Sequence, residues 1–150
     1  MTGFLLLKWL HVMSAIVAVG SNVTYAVWST RAKGEPEHLG FVLRGIKVLD
    51  DRVANPAYGV LLVTGLIMAF TTYTISTRWI LTGLAIFVVM AVLGAAVYSP
   101  TLTRQIKALD AEGAASAAYV AADARARAVG MFLGLLAVVA VLVMVFKPTF

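Results

Sequence analysis

Residues 129–146 read V-G-M-F-L-G-L-L-A-V-V-A-V-L-V-M-V-F, eighteen positions without a charge. At about 1.5 Å per residue, a helix of this length spans roughly 27 Å, close to the hydrocarbon thickness of a bilayer. Three further segments, 4–28, 53–76 and 79–98, are as long or longer. Only the first carries ionisable groups at helix-interior positions, Lys8 and His11. The chain has 150 residues, 61% of them hydrophobic and 13% charged. A soluble domain of that size carries about 25% charge and could not wrap four such helices in polar protein. The reading is an all-α, up-down bundle of four transmembrane helices in a single domain, 1–150. The first segment lacks a basic leader and runs too long for a cleaved signal, so it reads as a retained span.

Lys and Arg set the orientation. Loops 29–52 and 99–128 hold nine of the twelve, and the other side holds Lys8, Arg78 and Lys147. The positive-inside bias puts both long loops in the cytoplasm and both termini outside. Trp9, Tyr73 and Trp79 then form the outer aromatic belt, and Trp28, Tyr58 and Tyr98 the inner one. The net charge of +5 is accounted for by these loops and gives no nucleic-acid signal.

In the first loop Leu39, Val42, Leu43, Ile46, Leu49 and Val53 recur at helical steps, opposite Arg44, Lys47 and Asp51. That pattern predicts a short amphipathic helix lying on the membrane surface between spans one and two. Asn55-Pro56 marks the bend or start of span two, and Ser99-Pro100 the end of span three. Beyond it Leu102, Ile106 and Leu109 continue a stripe and 114–127 is Ala-rich. The second loop is either a helical hairpin or a projection of the spans. The short link around Ser76-Thr77-Arg78 makes spans two and three antiparallel neighbours. Gly130/Gly134 and Ala91/Ala95 offer small-residue contacts, within the chain or to another helix.

His11 is the candidate for chemistry. An ionisable group inside a span is costly and is read first as functional. Lys8, Ser14, Ala18, Ser21, Asn22 and Tyr25 share its helix face. One reading is a packing histidine bonded to Ser14, to Asn22 of a neighbour or to a backbone carbonyl. The other is an axial ligand of b-type haem, because neutral imidazole binds iron. His38 lies in a loop, which leaves Met68 of span two as a thioether partner, or a second copy at a dimer interface. Lys8 reads as a snorkelling cation, and Arg52 as an ion-pairing or lipid-facing one. With no cysteine there is no disulfide or thiolate site. No carboxylate lies within a span, which argues against an ion-coupled transporter. There is no zinc-like cluster, phosphate loop or Ser-His-Asp set, so no catalytic residue is assigned.

The stretch Leu7-Lys8-Trp9-Leu10-His11-Val12-Met13-Ser14-Ala15-Ile16 resembles the first span of small bacterial membrane proteins. Asn55-Pro56-Ala57-Tyr58-Gly59, Leu62-Val63-Thr64-Gly65, Leu93-Gly94 with Tyr98-Ser99-Pro100, and Met144-Val145-Phe146-Lys147-Pro148 resemble the family catalogued as domain of unknown function 2269. That resemblance implies a four-span protein of the bacterial inner membrane. A more distant one is to HemJ-type protoporphyrinogen oxidases and CopD-like proteins, through Lys8, His11, Arg52 and Pro56. It implies His11 as haem ligand. Ala18 replaces a Trp common in those proteins, and no lysine stands near Thr82-Gly83 where the oxidases carry one. Two expectations of function follow. One is a non-catalytic membrane subunit or scaffold, as a homo-oligomer or within a larger complex. The other is a haem-binding, redox-associated protein.

Overall fold

The computed structural model describes residues 2–148. Six α-helices follow in order: α1 (Thr2–Arg31), α2 (Leu39–Leu49), α3 (Asn55–Thr71), α4 (Arg78–Leu93), α5 (Ser99–Glu112) and α6 (Ala117–Phe146). A π-helical segment, Asp50–Ala54, fuses α2 to α3, and a second, Gly94–Tyr98, fuses α4 to α5. The result is four long rods, each apolar and long enough to cross a membrane, packed as an up-down bundle. They exceed the bilayer. The rod from Pro36 to Thr71 has 36 residues, about 54 Å, nearly twice the hydrocarbon thickness. The excess gathers at the end bearing the two long connections and forms an extramembrane head.

Why the rods run through two prolines is a local matter. A proline ring clashes with the carbonyl four residues earlier. In both rods the residue before the proline donates five residues back instead, Asn55 to the Asp50 carbonyl and Ser99 to the Gly94 carbonyl. The wider turn makes room for Pro56 and Pro100 without breaking the helix. The helices therefore run on through Asn55-Pro56 and Ser99-Pro100 and do not end there.

This continuity corrects the amphipathic surface helix. Residues 39–49 are helical, but no separate interfacial helix exists. Leu39, Leu43 and Ile46 are buried against Leu102 of α5, Tyr119 of α6 and Tyr25 and Ala32 at the end of the first rod. Protein, not lipid, covers the stripe. The π turn also shifts the phase: Asp50 and Ala54 turn inward, while Val53, expected in the stripe, is exposed.

In the second loop α5 and the first half of α6 are extensions of the spans that close into a hairpin. Gly113 makes the turn at φ +83°, a backbone region that favours glycine. Ser116 then caps α6, its hydroxyl accepting from the Tyr119 N–H at 3.2 Å. Within the membrane, α1 packs along α3 and α4 along α6. Gly83 seats the Met144 side chain at the second contact. Spans two and three meet through large rings, Tyr58 edge-on to Phe87 at 6.2 Å. At the opposite end from the head, Tyr73 contacts Phe4 and Trp79, and the Lys147 ammonium lies 5.5 and 5.4 Å from the Tyr73 and Trp79 ring centres.

Candidate functional site

The predicted polar face of α1 is the buried one. Ser14, Ala18 and Tyr25 are its buried residues, and His11 starts the line. His11 Nδ1 lies 3.0 Å from Thr64 Oγ1 on α3. Thr64 has one hydroxyl hydrogen, and its 2.7 Å bond to the Val60 carbonyl uses it. The imidazole therefore donates from Nδ1, which leaves Nε2 with its lone pair. Gly65 admits the ring: a Cβ there would stand 3.0 Å from His11 Cε1.

Two polar side chains on the same face of α1 are engaged elsewhere. The Ser14 hydroxyl donates to the Leu10 carbonyl at 2.8 Å, and the Asn22 amide donates to the Tyr58 hydroxyl at 2.8 Å. Thr64 was not foreseen, because a helical threonine ordinarily satisfies itself on its own backbone; this one does so and still accepts. Met68 is buried one turn beyond Thr64 on α3. Lys8 and Arg52 are exposed, and neither joins this contact.

A second polar centre, which sequence reading missed, lies where span meets head. Asp50 is 7% exposed and Tyr25 4%. Among the described residues, Asp50 Oδ2 and Tyr25 Oη are buried without a hydrogen-bond partner. Tyr25 stacks on Tyr98, with ring centres 6.3 Å apart and planes 9° from parallel. Tyr58 and Tyr98 pack, partly buried, against the same cluster as Tyr25. Burial pushes the Asp50 carboxyl above the usual carboxylate range; the Ser99 hydroxyl and the Lys47 ammonium oppose that rise, and Asp51 adds to it. Lys47 itself donates to Ser99 at 3.1 Å and pairs with Asp51. One signal could have found this centre: Asp50 follows Ile46 by four residues, so a carboxylate continues the Leu39, Leu43, Ile46 line.

The head is tied by Asp123. Its Oδ2 accepts from Lys33 at 2.8 Å and Arg127 at 3.0 Å, and its Oδ1 from the Gln105 amide at 3.1 Å. One carboxylate thus joins the end of the first rod, α5 and α6. Arg44 and Asp110 add an exposed pair at 3.1 Å between α2 and α5.

Four long rods, each apolar and long enough to cross a membrane, with a head on one side define a multi-pass integral membrane protein. Residues 5–148 match the family model described as "Predicted integral membrane protein (DUF2269)", and the chain belongs to that family. No curated protein and no solved structure matches it. The more distant likeness to the HemJ and CopD types gains no support from these comparisons.

Proposed function

We infer that the protein is a non-catalytic subunit or scaffold of a membrane assembly, presenting the outer face of α4 to another membrane helix. The observation that carries this reading is the placement of the small-residue pairs. Gly130 is turned inward, where a Cβ would lie 3.5 Å from the Tyr98 ring. Ala91 and Ala95 are both exposed, beside Val88 and Val92. Lipid alone does not require small residues at four-residue spacing, whereas close helix approach does. Buried polar pairs such as His11–Thr64 and Asn22–Tyr58 serve the bundle's own packing. The membrane is the bacterial inner membrane, with the head in the cytoplasm by the nine-to-three excess of basic residues.

Because the chain has no cysteine, single-cysteine variants test this directly. Ala91→Cys and Ala95→Cys should crosslink to one defined product in native membranes, and the control Leu135→Cys on α6 should not. Adding Ala91→Leu to Ala95→Cys should abolish that product. Equal crosslinking at all three positions, or none at any, would refute the α4 interface. A reporter fused after Phe150 should be active only outside the cytoplasm; cytoplasmic activity overturns the orientation.

One observation favours the haem reading as a second. The Thr64 bond fixes hydrogen on Nδ1 and leaves Nε2 in the form that binds iron. His11 would hold such a group through that atom, with Met68 or a second copy as the other ligand. Bound haem would supply one-electron chemistry; the chain's part is to orient the imidazole through Thr64. Purified protein would show a Soret band that His11→Ala removes, and colourless protein from haem-replete cells would end this reading.

A further inference from the structure

On the head, where it leaves the membrane, a cleft of about 320 Å³ opens between α5 and α6. Its floor is made of small side chains, Ala108, Ala118, Ala121 and Ala122, and its rim carries Arg104 and Arg125. Thr101 also lines it, but its hydroxyl is committed to the Val97 carbonyl at 2.6 Å. The arginines are its charged donors. Both are exposed, and neither forms a salt bridge among the described residues. Of the head's other cations, Lys33 and Arg127 share Asp123, Lys47 holds Asp51 and Arg44 holds Asp110, while Arg31, Arg52 and Lys107 form no salt bridge among the described residues but lie outside the cleft.

The height of the cleft decides its occupant. Arg104 lies six residues past Tyr98, and Arg125 lies four before Val129, which places them roughly 9 and 6 Å beyond the apolar segments. The headgroup layer is about 5–8 Å deep on each side, and an arginine stem reaches back several ångströms. Two forked guanidinium groups over a floor without bulky side chains match a tetrahedral phosphodiester.

We propose that Arg104 and Arg125 form a binding site for the headgroup of an anionic phospholipid in the cleft between α5 and α6. The headgroup enters the membrane-facing end of the cleft, between the two arginines, and the lipid's acyl chains run down the neighbouring exposed face of α6, along Met131 and Leu135. This site does not depend on the α4 interface or on His11.

The test uses the full chain in nanodiscs of phosphatidylcholine, with or without phosphatidylglycerol. Native mass spectrometry counts retained lipid, and thermal unfolding reports stability. A basic residue near a membrane surface strengthens anionic binding about fivefold, so Arg104→Gln with Arg125→Gln should weaken phosphatidylglycerol retention roughly 25-fold. The charge-matched control Arg31→Gln with Lys107→Gln, outside the cleft, should keep it. Each single cleft variant should lose about fivefold, which preserves the test if the double variant does not fold. Equal retention of both lipids by the parent, or equal loss in the control, would overturn the proposal. So would reproduction of the stabilisation by inorganic phosphate alone, which would make this a site for free phosphate.

Discussion

Asp123→Ala should loosen the head while leaving the membrane part in place. Gln105 is 2% exposed and would lose the acceptor for its amide, at about 1–3 kcal/mol for an unsatisfied buried donor. The Lys33 side chain is 35% exposed and Arg127 54%, so water reaches both once the carboxylate is gone. Their pairs therefore add only about 1 kcal/mol together. The sum is roughly 2–4 kcal/mol, which raises the open population of the head about thirtyfold to a thousandfold. Limited trypsin digestion in detergent reads that population at Lys107 and Arg125, which flank the Gly113 turn. Cleavage should accelerate accordingly in Asp123→Ala. Lys33→Met should cost less, because Asp123 keeps Arg127 and Gln105. A digestion rate for Asp123→Ala within twofold of the parent would refute the view that this carboxylate ties the head.

Three further outcomes are expected. Asp50→Asn should stabilise the protein at neutral pH: the folded carboxyl holds its proton above the ordinary value of 3.8, so ionising it weakens the fold as pH rises. That advantage should shrink as pH falls through the raised value towards 3.8, and thermal unfolding from pH 4 to 8 checks it. Thr64→Val should cost about 0.6 kcal/mol, up to about 1.7, for one interhelical bond in a membrane; a double-mutant cycle with His11→Ala should recover that coupling, and a zero coupling would dissolve the pair. Leu43→Ala, at a site 1% exposed, should cost about 2–5 kcal/mol in denaturant unfolding, whereas a lipid-facing residue 43 would tolerate it.

The spans were legible because charge-free runs of eighteen residues or more have few other destinations. The buried face of α1 was legible too, since Ser14, Ala18 and Tyr25 fall at helical steps. What covers a stripe was not. Periodicity shows which side of residues 39–49 is apolar, and the same pattern suits a lipid surface or a protein groove; only Leu102 and Tyr119, far along the chain, decide between them. Pro56 and Pro100 read as boundaries because local sequence does not show that a π turn absorbs them. The polar centres stayed hidden for a related reason. Lys33 and Asp123 are ninety residues apart, and Thr64 carries no mark that separates it from the other membrane threonines.

The two π segments also act as angular gearing. Along the second rod the buried positions Leu39, Leu43, Ile46, Asp50, Ala54, Ala57, Thr64 and Met68 keep near-regular spacing. The lower part of that line meets α5 as well as the first rod, and the upper part packs along α1. One residue taken up in a widened turn corresponds to about 100° of azimuth. The extra residue is thereby absorbed locally, and the buried stripe stays on the first rod without a break. Losing a single residue between Asp50 and Ala54 would let the turn tighten to an ordinary helix and bring the Pro56 ring against the carbonyl four residues before it.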